Sequence, residues 1–350
     1  MIERRPELAD QLLGRSDELA RETARLHLDR YPQIAARFPG AEARCAEDGV
    51  FHVQHLAAAV SMGRPELFDE YAAWTADLLA GFGIEGDELG RHLRTLAEVV
   101  RADLGEDAGG IISQTIEDSL ATLPEGPADQ RSLLIGSRHH AELARRILDA
   151  LLGADRHLAN DLVIQAADAG TPIQELYLDV FQPCLYEVGW LWQTGKASVA
   201  QEHFVSAAVQ LAMAQLYPRL FTTPRISRSV IVASAGGELH EIGGRMVADI
   251  FELHGWDSHF TGANTASQDV AALVVERGAD AVAISATLPS HLPMVEQMVR
   301  AVRETGEVPI LVGGRPFNQA PDLWQVVAAD ATATDAVAAV HTAAALVDAA

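Results

Sequence analysis

SVIVASAGGELHEIGGRMVADIF, residues 229–251, decides the fold of the C-terminal part of the chain. The apolar run at 229–235 predicts a buried strand, and the stretch from 241 onward predicts a helix. Further β-rich runs lie at 258–262, 280–287 and 308–314, with helical stretches between them, and a weaker fifth unit follows Asp330. Apolar strands that alternate with helices predict a parallel, doubly wound, flavodoxin-like sheet over residues 228–350.

The rest of the chain is predicted to be helical in two segments. Residues 1–122 keep apolar positions at three- and four-residue spacing, as in ELADQLLGRSDELARETARLHLDRY at 7–31. Residues 131–224 contain three to five helical stretches with short turns, which is typical of a compact bundle. Proline-containing breaks at 121–130 and 222–227 separate the segments. We therefore expect an α plus α/β protein with domains at 1–122, 131–224 and 228–350.

The composition argues against several classes of function. The chain of 350 residues has a formal net charge of −23 without a basic cluster, so we expect no nucleic-acid partner. Its two cysteines, Cys45 and Cys184, form no CxxC pair, which argues against a disulfide framework and favours the cytoplasm. We find no signal peptide and no run of 18 apolar residues, so no membrane partner is expected.

The first strand-to-helix loop carries the candidate site, because doubly wound sheets bind ligands at the carboxyl ends of their strands. The loop lacks GxGxxG but places Glu238 and His240 just before Gly243-Gly244. A histidine there can bind a metal through one ring nitrogen while a carboxylate holds the other. The alternative is a solvated loop histidine. The same edge holds small groups that suit a slot for a long ligand: Ser285, Thr287, Gly313 and Gly314.

These residues together resemble the signature of cobalamin-binding domains. E-x-H-x-x-G spans 238–243, S-x-T spans 285–287 after 41 intervening positions, and GG follows at 313–314. The resemblance implies that His240 is the lower axial ligand of cobalt. It also implies that the displaced nucleotide tail of the cofactor enters the slot beside Ser285, Thr287 and Gly313-Gly314.

The helical segment before the sheet resembles the cap of B12-dependent photoreceptors, whose hallmark is a Trp, nine residues and then Glu-His. Trp192 and Glu202-His203 have that spacing, and Ser198 with Gln201 predicts a capping box. The resemblance implies adenosylcobalamin: Trp192 walls in the adenine, Glu202 accepts ribose hydrogen bonds, and His203 adds a polar contact or a proton site.

Two neighbours of this motif are treated differently. Trp190 is expected to be ordinary core. Gln193 departs from the photoreceptor pattern, which has a histidine that takes over cobalt after illumination, so this chain lacks that route to a bis-histidine state.

The first segment is acidic and helical and has no basic DNA-binding module. Its length fits a globin-like fold, and the whole layout resembles photocobilins, which implies a bilin such as biliverdin in this domain. Arg44, Asp48, His52 and His55 fall on one helical face and could bind it, with Tyr71 and Trp74 flanking the ring system. Heme on His52, His55 or His92 is an alternative, as is a solvated face over an aromatic core; Cys45 could tether a bilin.

Three interpretations of function follow. The first is a non-enzymatic light sensor that uses adenosylcobalamin and biliverdin and signals by a change in partner contacts or in the assembly of a homo-oligomer that responds to light. The second is a corrinoid methyl-carrier protein of a methyltransferase system. The third is an adenosylcobalamin mutase subunit, which would need a partner chain because no substrate barrel is present.

Overall fold

The computed structural model describes residues 3–84, 87–123, 132, 134 and 139–349. The predicted break at 121–130 lies outside this part of the chain from residue 124 onward. Two compact units divide the molecule: Met1–Ala128 with Leu288–Pro293, and Asp129–Thr287 with Met294–Ala350. The second unit contains both the predicted cap and the predicted sheet, so these two parts can be described together.

The N-terminal unit is helical, as predicted. Its helices within the described residues are α1 (Pro6–Gly14), α2 (Ser16–Arg30), α3 (Pro32–Arg37), α4 (Ala41–Met62), α5 (Glu66–Gly81), α6 (Glu88–Leu104) and α7 (Glu106–Ala121). Helix α4 is the central element, since its second half, from His55 to Met62, is buried throughout. A globin-like arrangement of these helices stays a prediction.

The cap is a small bundle whose third helix changes its winding. It consists of α8 (Ala141–Leu152), α9 (Arg156–Asp168), α10 (Ile173–Glu175), a π-helical segment (Leu176–Phe181), α11 (Gln182–Gln193) and α12 (Val199–Leu216). The π-helical segment joins α10 and α11 without a break. Helix α8 shows why the bundle forms, because Ala144, Ile147, Leu148 and Leu151 place one apolar stripe in the core.

The C-terminal part is a five-stranded parallel sheet in the order β2-β1-β3-β4-β5. The strands are β1 (Ser229–Ser234), β2 (Asp257–Phe260), β3 (Ala281–Ser285), β4 (Ile310–Gly313) and β5 (Ala331–Ala333). The helices that connect or follow them are α13 (Glu241–Leu253), α14 (Ser267–Arg277), α15 (Leu292–Arg303), α16 (Arg315–Gln319), α17 (Leu323–Val326) and α18 (Ala336–Ala349). This confirms the predicted doubly wound sheet, including its weak fifth unit.

One hydrophobic core joins the cap to the sheet. It includes Phe181 and Met213 from the cap, Val232 from β1, and Ile250 and Phe251 from α13. Strand β1 is buried at every position after Ser229, which explains its continuous apolar run. The boundaries predicted at 131–224 and 228–350 stay predictions, but the two parts share their interior.

No helix in the described part of the chain has both the length and the apolar character that spanning a membrane requires.

Candidate functional site

The loop after β1 holds His240 through a buried carboxylate. Oε1 of Glu238 accepts hydrogen bonds from the backbone N–H of His240 at 2.8 Å and from its Nδ1 at 2.6 Å. The other oxygen, Oε2, accepts the backbone N–H of Thr287 at 2.7 Å. Glu238 is fully buried, whereas the His240 side chain is 58% exposed. This arrangement protonates Nδ1 and leaves Nε2, which has no hydrogen bond within the described residues, available to a ligand.

The electrostatics of the loop favour a basic imidazole. The hydrogen bond from Glu238 is the main reason why the pKa of His240 is raised, and the charge of Glu202 from the cap raises it further. A carboxylate that orients a histidine and increases its basicity is the usual partner of a metal-binding imidazole. The geometry therefore supports His240 as a metal ligand and argues against a merely solvated loop histidine.

Small residues line the carboxyl edge of the sheet next to this loop. Ser234 of β1 pairs in register with Ser285 of β3, which pairs with Gly313 of β4. A Cβ on Gly244 would lie 3.1 Å from Phe260 Cε2 and 3.2 Å from Ser234 Oγ. The Ser234 hydroxyl is buried and has no hydrogen-bond partner. A buried hydroxyl without a hydrogen-bond partner, beside these small residues, fits the predicted slot for a nucleotide tail.

Gly313 and Gly314 differ in their roles. A Cβ on Gly313 would lie 3.3 Å from the carbonyl oxygen of Ala333, a tight contact that requires a small shift. Gly314 has φ +106°, and a Cβ there would collide with the carbonyl oxygen of Ala286. Glycine is therefore required at 314 by the backbone of Ala286, directly after β3, apart from any ligand.

The predicted upper wall lies on α11 and α12 of the cap. The capping box is confirmed, since Ser198 Oγ accepts the N–H of Gln201 while the Gln201 side chain accepts the N–H of Ser198. Glu202 follows in the first turn, with Oε1 accepting a hydrogen bond from Ser206 Oγ at 2.7 Å. Of the three predicted wall residues, Glu202 is 28% exposed, His203 is 76% exposed, and Trp192 is partly buried.

The cap and the sheet are joined by polar contacts that the sequence did not reveal. Gln210 Nε2 donates at 3.3 Å to Oε1 of Glu241, the residue directly after His240. Deeper in the interface, the Tyr177 hydroxyl donates to Asp249 Oδ2 at 2.8 Å, and both side chains are buried. Burial raises the pKa of Asp249 to about 6. The first contact joins α12 to α13, the helix that follows the His240 loop, and the second joins the π-helical segment to the same helix.

The structure overturns the prediction for Trp190 and shows where Gln193 lies. Trp190 is not ordinary core: it is only partly buried, and the Lys196 ammonium lies 4.3 Å from its ring centroid. The turn at Gly195 brings Lys196 over the indole ring of Trp190. A cation therefore lies where a core position would have an apolar side chain. Gln193 is buried, with 7% of its surface exposed.

The residues predicted for a bilin are divided between the surface and the core of the N-terminal unit. Arg44 and Asp48 are exposed on α4. His52 and His55 are buried; His52 Nδ1 lies 2.7 Å from the Tyr71 hydroxyl, and the His55 ring stacks on Tyr71 at 3.7 Å. The first half of α4 is solvated and the second half is central, so one helical face runs from solvent into the core.

A cluster of neutral imidazoles surrounds His52. His92 lies 5.2 Å from His52 and 4.9 Å from His27 between ring centroids. Burial lowers the pKa of His52 to about 3 and that of His55 to about 4, and it lowers the pKa of His92 strongly. His92 Nε2 and His27 Nδ1 are buried without a partner. His92 was considered as a heme ligand, but His27 was missed because nothing in its local sequence marks it.

The fold and the site together define a cobalamin-binding protein. The oriented histidine, the open Gly243 three residues on and the buried, unpartnered Ser234 hydroxyl fit a corrinoid held from below. Cys45 is partly buried, forms no disulfide and belongs to the N-terminal unit.

Comparison with known proteins gives the same class. Two family models, each described as a B12 binding domain, match residues 143–217 and 228–341. These parts of the chain therefore belong to the B12 binding domains, and the protein is a corrinoid-binding protein. The predicted cobalamin cofactor is confirmed at this level; its adenosyl form is not decided by the matches.

Individual relatives include corrinoid proteins and a mutase. Dimethylamine corrinoid protein 3 of Methanosarcina acetivorans is 25% identical over 182 residues, 51% of this chain and 85% of that protein. Ethylmalonyl-CoA mutase of Methylorubrum extorquens is 30% identical over 156 residues, 43% of this chain but only 21% of the mutase. The structure of Methanosarcina barkeri monomethylamine corrinoid protein matches with TM-score 0.53 and 21% identity, over 59% of this chain and all of that one. That likeness shows the shared fold.

Proposed function

We propose that the protein is a methyl-carrying corrinoid protein that serves a separate methyltransferase. A bound corrinoid supplies a cobalt atom that can accept and release a methyl group. In this proposal the chain is a carrier and not itself an enzyme. The proposal adopts the interpretation that the corrinoid-protein relatives favour over a light sensor.

The observation that carries the proposal is the chain of hydrogen bonds from His240 through Glu238 to Thr287. His240 would hold the corrinoid from below through Nε2, while Glu238 keeps the proton on Nδ1. Because Glu238 Oε2 is also bound to the Thr287 N–H, movement of the histidine is coupled to the end of β3. Ser234, Ser285 and Gly244 would border the tail of the corrinoid in the cleft.

The relatives' names suggest the chemistry of the methyl donor. Proteins described as dimethylamine and monomethylamine corrinoid proteins match 51% and 59% of this chain. A methylated amine is therefore the donor class to test first. The partner would be a methyltransferase that docks while the cap gives access to the corrinoid.

The test uses the full chain loaded with methylcobalamin in the dark. Incubation with homocysteine and a purified corrinoid-dependent methyltransferase should transfer the methyl group, measured as methionine by mass spectrometry. His240→Ala should retain less corrinoid and transfer correspondingly less. No transfer above that of free methylcobalamin, with the corrinoid still bound, would exclude the carrier.

A light sensor is the second candidate, and Glu202 favours it. A methyl group has no hydrogen-bonding atom, yet the cap places a partly buried carboxylate close enough to influence His240. That carboxylate, with Trp192 nearby in sequence, suits the hydroxyls and the ring of an adenosyl group. On this interpretation the buried His52 and His55 and the partly buried Tyr71 would border a bilin such as biliverdin in the N-terminal unit.

Spectra recorded before and after green light separate the two candidates. A sensor purified in the dark with adenosylcobalamin should lose its cobalt–carbon absorption on illumination and change its assembly in light scattering. Biliverdin should give a red-shifted bound band that heme does not reproduce. A spectrum that changes no faster than that of free adenosylcobalamin, with constant particle mass, would exclude the sensor.

A further inference from the structure

A second group of metal-binding side chains lies in the cap, outside the corrinoid site. His139 and His140 precede helix α8, and Glu175 ends α10. Their ligand atoms all lie within 4.8 Å of one another, and no other such group of three was found in the described part of the chain. None of these residues takes part in the corrinoid site.

The distances are those of ligands around one ion. His140 Nε2 lies 2.8 Å from Glu175 Oε2, and His139 Nδ1 lies 3.4 Å from the same oxygen. Ligands bound at about 2.0–2.2 Å to one tetrahedral zinc ion lie about 3.3 Å from one another. Small rotations of the side chains would therefore bring all three atoms to bonding distance without a change of the backbone.

The charge of the group favours a divalent cation. Asp179 adds a second carboxylate, with Oδ2 3.8 Å from His139 Nδ1. Two imidazoles and two carboxylates carry two negative charges when the histidines are neutral. Mixed nitrogen and oxygen ligands of this kind suit zinc, whereas magnesium and calcium prefer oxygen alone. His140 is 21% exposed and His139 67% exposed, so an ion could enter from solvent.

We propose that His139, His140 and Glu175 form a zinc site that ties the start of α8 to the third cap helix. His140 adopts φ +58° at the N-cap of α8 and makes no capping hydrogen bond, so its side chain is turned to Glu175 instead. The ion would link two segments 35 residues apart in the sequence. Its role would be to stabilise the packing of the N-terminal end of α8 against α10.

Isothermal titration of zinc chloride into the full chain, loaded with cobalamin so that His240 is engaged, tests the site. We expect one zinc per chain and a higher unfolding temperature with zinc than with a chelator. His140→Ala and Glu175→Gln should each weaken zinc binding by about 100-fold or more, since even partners of ligands affect affinity by 10–100-fold. Both variants should lose the zinc-dependent stabilisation.

His157→Ala is the matched control, because His157 is an exposed histidine of the same bundle, on α9. It should bind zinc as the unchanged protein does. Glu175→Gln preserves the size of the side chain, so it covers the case in which His140→Ala fails to fold. Absence of zinc binding, or zinc binding by both site variants as tight as that of the unchanged protein, would overturn the proposal and leave a hydrogen-bonded surface cluster.

Discussion

The carboxylate of Glu238 joins His240 to the end of strand β3. It accepts the His240 Nδ1–H at 2.6 Å with one oxygen and the Thr287 N–H at 2.7 Å with the other. Both oxygens therefore face donors inside a fully buried position. The arrangement orients the imidazole before any corrinoid arrives, which lowers the cost of ordering the ligand on binding.

Glu238→Gln should impair this arrangement, because the amide NH2 must face either the two donors of His240 or the Thr287 N–H. We expect corrinoid affinity to fall by about 10–100-fold and stability by about 1–3 kcal/mol. Equilibrium dialysis with cobalamin and urea unfolding measure the two effects. Glu238→Asp keeps the charge and should restore part of the affinity; equal loss in both variants would show that the carboxylate does not support His240.

Gly243 and Gly244 should respond differently to alanine. A Cβ on Gly244 would press on Phe260 and Ser234, whereas nothing lies within 4 Å of one on Gly243. Gly244→Ala should therefore destabilise the protein with or without cobalamin. Gly243→Ala should leave the cobalamin-free protein as stable or slightly more stable, since alanine favours a helix by about 0.5–1 kcal/mol, yet it should weaken cobalamin binding.

Thermal unfolding with and without cobalamin distinguishes the two effects. If Gly243→Ala binds cobalamin with unchanged affinity, the corrinoid does not approach the start of α13.

Glu202→Gln separates the two candidate functions. The substitution removes a charged acceptor on α12 while keeping its size. A hydrogen bond that a hydroxyl donates to a charged acceptor contributes about 1.5–3 kcal/mol. The affinity for adenosylcobalamin should therefore fall by about tenfold or more. Methylcobalamin should bind as before. Dark titrations with both cofactors measure this, and an equal loss for both would mean that Glu202 acts through His240 and contacts no adenosyl group.

The buried pair of Tyr177 and Asp249 should make the cap interface depend on pH. Burial raises the pKa of Asp249 to about 6. The folded state therefore keeps this proton to a higher pH than the unfolded chain, in which the pKa is about 3.9. The contribution of this group to the free energy of unfolding has its full value below about pH 4. It falls by up to about 3 kcal/mol as the pH rises to about 6.

Asp249→Asn removes this dependence but can still accept the Tyr177 hydrogen bond. The difference in unfolding free energy between variant and unchanged protein should shift in favour of the variant as the pH rises from 4 to 7. Tyr177→Phe should cost about 1–3 kcal/mol at pH 7, because it leaves the carboxylate without its donor. A pH-independent difference for Asp249→Asn would contradict the shifted pKa.

The buried histidines of the N-terminal unit should make stability depend on pH in the opposite direction. Burial holds the pKa of His52 at about 3 and that of His92 well below its usual value. The unfolded chain therefore binds these protons first, and stability is lost as the pH falls below about 6.5. His92→Phe should reduce the loss between pH 7.5 and 5 by about 2 kcal/mol.

Urea unfolding at both pH values measures this loss, with the exposed His157→Ala as the control that should change nothing. The same acid sensitivity in His92→Phe as in the unchanged protein would show that His92 is not the titrating group.

Much of the sheet and its loop could be predicted from the sequence. The apolar run of β1, the alternation with helices and the motif around His240 are local patterns, and parallel sheets bring strand ends to one edge. The capping box before α12 was predictable for the same reason, since its partners are three residues apart. Trp190 was placed wrongly because its neighbour Lys196 is set by the turn that follows.

The long-range contacts could not be predicted in this way. Tyr177 and Asp249 are 72 residues apart, His140 and Glu175 are 35 apart, and His27 meets His92 only when α2 and α6 pack. Each pairing depends on how helices pack side by side, and no periodicity in one segment records which residue of another it will meet.

The sequence by itself determined the class of the C-terminal fold, the loop that carries His240, and the spacing of Trp192 and Glu202-His203 on the cap. Only the tertiary structure decided which polar atoms are buried and paired: Glu238 with Thr287, the orphaned Ser234 hydroxyl, and the histidines beside Glu175. The physical reason is that backbone preferences act over a few residues, whereas burial and pairing arise from contacts between distant segments.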